Sequence, residues 1–328
     1  MRIDLIPPEA WTALCDRYRE KLPYPEKSQV QVQIYSGYRH ALLEITQSLA
    51  RLFTHKKTIA VSSKTEPSFE SVAVGFSEEG CVVQTLETST AAQVAPELAK
   101  QTKELLFTLV SEDDPITGRL YDFSPVDRAL KDQRVFRIKL SHEAFRTRTL
   151  EKPGLYEIQI LSLRPDLALV IAGERCRIHP SLAPRLPWTM QDDATIARDL
   201  TPLAPSAKEI ETFESQLPAG FRRYFDANTP RLADRAVIWH PGFDGSAVID
   251  ELARALGEKL GPPGENSTLE TSSPCLWPSP RLTEWLLSRG EKEEGLRGMI
   301  VISADLVKRG LTSQLSQVAS TLTKLQNG

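Results

Sequence analysis

Between residues 36 and 180, short apolar runs alternate with stretches of helical periodicity. TIAVSS (58–63), CVVQTLE (81–87), ELLFTLVS (104–111), VFRIKLSH (135–142), YEIQILSL (156–163) and ALVIAGERCRI (168–178) read as strands, being rich in Val, Ile, Leu and Phe and bounded by turn residues. Between them, 37–53 places Ala41, Leu42, Ile45, Leu49 and Leu52 on one helical face. Residues 67–78 read as a helix with Pro67 in its first turn, 91–103 as another, and 124–132 as a short helix opened by Ser124. Strands and helices in alternation specify an α/β domain, a mainly parallel sheet sandwiched by helices.

The pattern changes on either side of this block. Residues 1–34 hold Pro7, Pro8, Pro23 and Pro25 and read as an N-terminal arm before a large domain over 35–190. The proline-rich stretch 180–205 reads as a connector and 206–226 as a helix leaving the large domain. Then follow a strand at 236–242, an amphipathic helix at 246–261, a loop at 262–280, a strand at 298–306 and a closing helix at 307–325. Residues 191–328 therefore form a connector helix and a smaller α+β domain.

With 41% apolar and 25% charged residues, the chain has material for a packed core, which excludes disorder as its main state. A net charge of −3 argues against a general nucleic-acid role. Cys15, Cys81, Cys176 and Cys275 show no CxxC spacing, so neither a metal site nor a dithiol motif is indicated. The opening MRIDLIPPEAW lacks the apolar stretch of a secretory signal, and no run approaches the ~20 apolar residues of a membrane span. A cytoplasmic protein without membrane attachment is expected. Among the five histidines there is no HExxH, and the sequence contains no GxSxG. His240–Gly245 reads as a turn between strand and helix.

Six pieces, in order, resemble the fold-type I pyridoxal-phosphate (PLP) enzymes, particularly the class I/II aminotransferases. Residues 35–53 resemble the helix that opens the large domain, and TIAVSSKTEPSFESVAVGF (58–76) the strand–turn–helix that cradles the cofactor phosphate. DDPITG (113–118) resembles the Asn-Pro-Thr-Gly turn with Ile116 inserted, and LSHEAF (140–145) the strand end reading Asp-Glu-Ala-Tyr. AGERCRI (172–178) resembles the Ala-Gly-Leu-Arg segment after the Schiff-base lysine, and 300–325 the C-terminal strand and helix. The resemblance implies a two-domain aminotransferase-like fold and a homodimer.

It also implies residues that this sequence does not supply. Counting back eight from Arg175 to the Schiff-base position lands on Leu167, and no lysine occurs between Lys152 and Lys208. Arg164 is no substitute, because a guanidinium stays protonated. Where the family places the acid that holds the pyridine nitrogen protonated, His142 stands; it reads as a ligand contact or, more simply, as a strand-closing histidine satisfied by backbone groups. Asp114, or Asp113, replaces the asparagine facing the ring hydroxyl, and turn capping is the simpler role for both. The substrate arginine is matched by Val301. The phosphate end is better kept. Ser62, Ser63, Lys64 and Thr65 precede a helix N-terminus, and Arg175 offers a guanidinium, unless it pairs with an acidic neighbour such as Glu174.

The expectation is a catalytically degenerate aminotransferase-like protein, with no catalytic residue, acting by binding as a partner subunit, scaffold or small-anion sensor. Its vestigial pocket is Ser62, Ser63, Lys64, Thr65, Asp114, His142 and Arg175, without metal. No cofactor is expected, non-covalent PLP being the exception. The alternative is an active PLP enzyme whose lysine comes from elsewhere, Lys64 or Lys139.

Overall fold

A computed structural model describes residues 8–24, 29–148, 150–164, 166–176, 193–202, 207–226, 228–256, 280–289, 293–308 and 311–327. Most of the proline-rich connector and of the 262–280 stretch, with Arg177, His179 and Cys275, lies outside them. The chain divides into two compact units, Met1–Asp114 with Leu120–Leu203, and Pro115–Arg119 with Ala204–Gly328.

The first unit contains α1 (Pro8–Lys21), β1 (Gln31–Tyr35), α2 (Tyr38–Leu52), β2 (Thr58–Val61), α3 (Pro67–Glu78), β3 (Val82–Thr85), α4 (Ala91–Lys100) and β4 (Leu105–Ser111). It continues with α5 (Ser124–Leu130), β5 (Phe136–Ser141), β6 (Glu157–Arg164), β7 (Leu167–Ala172) and α6 (Asp193–Leu200). The strands form one seven-stranded sheet, ordered β1-β7-β6-β5-β4-β2-β3. Pairs β2–β3, β2–β4, β4–β5 and β5–β6 are parallel, and β7 alone runs against its neighbours β1 and β6. The α/β expectation holds, with helices on both faces. Ala41, Leu42, Ile45 and Leu49 of α2 and Phe69, Val72 and Phe76 of α3 pack with Leu109, Ile138 and Ile160 on one face. On the other, α4 and α5 cover Leu105 and Val110, while α1 packs with Leu161, Leu163 and Leu169.

Two expectations need correction. Of residues 1–34, expected as an arm, the described α1 and β1 are built into this unit, with β1 in register along β7 from Gln31–Ala172 to Tyr35–Ala168. The strand expected at 168–178 stops at Ala172. A Cβ on Gly173 would lie 1.9 Å from the Gly154 carbonyl oxygen, so the backbones meet there as only glycine allows.

The second unit contains α7 (Ala207–Ser215), β8 (Arg222–Arg223), β9 (Arg235–Trp239), α8 (Gly245–Leu256), α9 (Pro280–Ser288), α10 (Glu293–Arg297), β10 (Met299–Ser303), α11 (Ala304–Lys308) and α12 (Leu311–Asn327). Its three strands form an antiparallel sheet, β10-β9-β8. The helix expected over 206–226 ends at Ser215; Pro218 and Gly220, the latter at φ +91°, precede β8. His240–Gly245 is a turn, with Asp244 accepting from Ser246 N at 3.0 Å at the start of α8.

Candidate functional site

Strand order alone marks where a ligand site belongs in the first unit. From β2 the chain goes outward to β3, then returns to β2's other side for β4 and β5. Such a reversal opens a crevice beyond the carboxyl ends of the two diverging strands. The residues there are 62–66 after β2, 112–114 after β4 and 142–145 after β5.

The turn after β2 is closed on itself. Ser62 Oγ and Thr65 Oγ1 stand 2.8 Å apart, Ser62 Oγ donates to the Leu109 carbonyl at 3.2 Å, and Thr65 Oγ1 donates to the Ser62 carbonyl at 2.8 Å. Lys64 points outward, its Nζ 2.7 Å from Glu87 in an exposed pair.

Glu66 is the centre of the site. It is fully buried and sits at the N-cap of α3, directly before Pro67. Its Oε1 accepts from Ser68 N (3.2 Å), Ser68 Oγ (2.8 Å) and Tyr38 Oη (3.1 Å). Its Oε2 lies 2.9 Å from His142 Nε2. The anion-favouring end of α3 thus holds a carboxylate from its own chain.

His142 closes β5 and stacks edge-on against Tyr38, with ring centroids 4.8 Å apart. Burial works against its charged form, but the bond to Glu66 and the nearby Asp113 and Asp114 prevail, raising its pKa. Burial likewise opposes ionisation of Glu66, and the bonds from His142 and Ser68 overcome it, lowering that pKa. The two directions agree on a buried imidazolium–carboxylate pair.

Asp113, also fully buried, accepts from the backbone N–H groups of His142 (2.8 Å), Glu143 (2.7 Å) and Ala144 (3.0 Å). It fixes the strand end that carries His142. Asp114 accepts from Tyr121 Oη at 3.3 Å.

Of the expected pocket residues, Ser62, Ser63, Lys64 and Thr65 form the β2 turn, with Asp114 and His142 on the neighbouring strand ends. Arg175 is not brought there. β6 and β7 are joined by residues 165 and 166 alone, so β7 returns at once, and its last residue, Ala172, pairs with Ile158 near the start of β6. Arg175 therefore stands at the opposite edge of the sheet, where it lines a cavity of ≈ 650 Å³ with Glu174, Tyr35, Leu49 and Phe136. The tight hairpin also settles where Leu167 lies: it opens β7, buried in the cluster that contains Phe145. Glu66 and Tyr38 were missed from sequence; an acidic residue immediately before a proline-initiated helix is the pattern that would have flagged Glu66.

No family model and no curated protein matches the sequence. Solved structures do match the fold. A NifS-like protein is 14% identical with a TM-score of 0.67, covering 96% of this chain and 88% of its own. The cysteine desulfurase CsdA from Escherichia coli is 12% identical with a TM-score of 0.59, covering 99% and 89%. L-threonine-O-3-phosphate decarboxylase from Porphyromonas gingivalis is 10% identical with a TM-score of 0.54, covering 96% and 89%. The chain has the fold of the fold-type I PLP-dependent enzymes. Among the described residues no helix is long and apolar enough to cross a membrane.

These matches correct the expectation of a protein without a cofactor, because the structures sharing this fold are PLP-dependent enzymes. The residues present do not fit that group as the family resemblance would hold it. A phosphate at the start of α3 would meet the buried Glu66 carboxylate, and the Ser62 and Thr65 hydroxyls already bond within their turn. The β6–β7 connection carries no amine for an imine.

Proposed function

We propose that this chain acts by binding rather than turnover, as a catalytically degenerate relative of the fold-type I enzymes. The observation that carries this reading is the Glu66–His142 pair, which fills the helix N-terminus with an internal anion and sets an imidazolium at the end of β5. Of the binding roles, partner subunit or scaffold is favoured over small-anion sensor, since Glu66 already occupies the anion position. A homodimer is the assembly the family resemblance implies.

The competing reading is an active PLP enzyme using Lys64 or Lys139, and its support is that the structural neighbours are enzymes. Lys139 projects from the sheet face opposite α3, where its Nζ lies 2.7 Å from Asp127 and 3.2 Å from Glu157. Lys64 follows β2, with its Nζ turned to Glu87. Incubation with PLP, borohydride reduction and intact mass measurement separate the readings. The binding reading expects no stoichiometric pyridoxyl adduct and no borohydride-sensitive imine band. One adduct per chain, mapped to a single lysine and lost in Lys64→Ala or Lys139→Ala, would overturn it.

A further inference from the structure

The cavity beside Arg175 runs along α2, and two rulers give its length. Tyr35, the last residue of β1, stands opposite Ala168, while residues 174–176 follow Ala172, about 13 Å further along β7. On α2, Glu44 and Leu52 both line the space and lie about 12 Å apart along the helix. Only residues 36 and 37 separate β1 from α2, so Tyr35 and Glu44 share one end. Leu52 and Phe53, with Phe136 at the start of β5, share the other with Arg175.

Between the ends the walls are apolar. Ile45, Leu49 and Leu52 line it from α2 at helical spacing, and the Phe53 and Phe136 rings stand 5.2 Å apart. Leu52 is 57% exposed, so this wall is left facing solvent. The ≈ 650 Å³ falls within the ~300–1,000 Å³ of small-molecule sites.

The polar groups at the ends are unpaired without being sealed. Tyr35 is only 4% exposed, yet its Oη makes no hydrogen bond among the described residues and is not one of the polar atoms closed off from solvent. Burial and the nearby Glu44 carboxylate push its phenol upward, so it stays an O–H donor. Glu44 has His40 Nε2 at 3.7 Å, too far for a hydrogen bond. At the other end Arg175 is exposed, and it pairs with neither Glu174 nor any other carboxylate among the described residues. Its backbone is fixed, since Arg175 N donates to the Leu155 carbonyl at 3.0 Å and Cys176 N to the Gly173 carbonyl at 2.9 Å. A buried hydroxyl that lacks a partner and opens into a cavity is where a ligand's polar atom belongs.

The order of these groups fixes the ligand. A carboxylate and a hydroxyl stand at one end, an apolar wall in the middle and a guanidinium at the other end. An extended peptide advances about 3.3–3.6 Å per residue, and its termini carry the complementary charges. We propose that this cavity binds an apolar peptide of about three or four residues, its ammonium at Glu44 and Tyr35 and its carboxylate on Arg175. The site does not depend on the reading of the Glu66–His142 edge.

The test uses the full chain, titrated calorimetrically with the tripeptide Leu-Phe-Leu, its N-acetylated form and its C-terminal amide, alongside thermal unfolding. One equivalent of the free tripeptide binds and raises the melting temperature. Acetylation and amidation each weaken binding about tenfold or more. Arg175→Gln removes an exposed, unpaired charge, so the variant melts as the wild type does; it weakens binding of the free tripeptide but not of the amide. Tyr35→Phe takes away only the unpartnered hydroxyl and weakens the tripeptide several-fold without lowering the melting temperature of the free chain. Absence of tripeptide binding up to ~10 mM would overturn the proposal. So would equal affinity for the tripeptide and its amide, unchanged binding in Arg175→Gln, or tighter binding of decanoate, which has the apolar body and the carboxylate but no amine.

Discussion

The first unit buries two groups of charges, one on each side of its sheet, and they are built in opposite ways. At the carboxyl edge, Glu66 takes bonds from Ser68, Tyr38 and His142, and Asp113 takes three backbone N–H groups. Across the sheet, Lys139, Asp127, Glu157 and Arg137 also pair, but the Arg137 Nε and Gln159 Oε1 beside them are unpaired and a cavity adjoins them. A polar network that satisfies itself stabilises the fold around it, whereas one that leaves buried atoms unpaired costs stability. The region that fold resemblance marks as the ligand site is thus the one closed by its own side chains. The region it does not mark is the one that leaves buried polar atoms unpaired.

The sharpest way to break this contrast is to open the closed network. Glu66→Ala leaves the His142 charge buried without its partner, and urea unfolding is expected to show a loss of about 3–5 kcal/mol. A loss under ~1 kcal/mol would mean the pair is not holding the edge together. Asp113→Asn replaces the oxygen that serves Glu143 and Ala144 with an amide at one position, for an expected loss of about 2–3 kcal/mol by the same measurement.

The pair also predicts a pH profile. His142 has a raised folded pKa, so its contribution is complete below its ordinary value of 6.5 and is lost as pH climbs through the raised value. Glu66 has a lowered one, so its contribution is complete above 4.5 and is lost as pH falls through the lowered value. The pair therefore stabilises most between 4.5 and 6.5. Denaturation midpoints measured across pH should decline on the alkaline side in the wild type, and His142→Gln should lack that decline. Across the sheet, Gln159→Leu should lose about 1–2 kcal/mol, because the Nε2 bonds to Glu157 and to the Glu151 carbonyl go with the amide. An unchanged unfolding midpoint there would show those bonds to carry no weight. Smallest of all, Lys64→Ala should not measurably alter the melting temperature, because its partner Glu87 is exposed.

The sequence made the frame of the sheet legible because β2 and β4 are apolar runs that need cover on both faces, while β5 and β6 alternate apolar with polar residues. It did not reveal β1, where half-buried Gln31 and Gln33 alternate with buried Val32 and Ile34, so that five residues after prolines resemble a linker. The end of β7 was hidden as well, since Gly173 stops it through an approach of distant backbone, not through any local pattern. At the site, Ser62, Thr65, Asp114 and His142 were singled out through the likeness of their segments to the family's motifs, and they stand after β2, β4 and β5. Arg175 was misplaced because a four-residue likeness to Ala-Gly-Leu-Arg carries no information about how long the preceding hairpin is. Glu66 escaped notice because a capping carboxylate and an anion-site carboxylate look the same until His142, 76 positions away, is seen beside it.

The brevity of the β6–β7 hairpin has a consequence for anyone wishing to restore amine chemistry here. Arg164, the last residue of β6, is near enough to Tyr18 of α1 to act against the rise that burial and Asp199 impose on that phenol. A lysine grafted at 164 would share this electrostatic neighbourhood with Tyr18. With only residues 165 and 166 between β6 and β7, the chain has no length there to carry an amine over the carboxyl edge, and a repair at this link would have to begin by lengthening it.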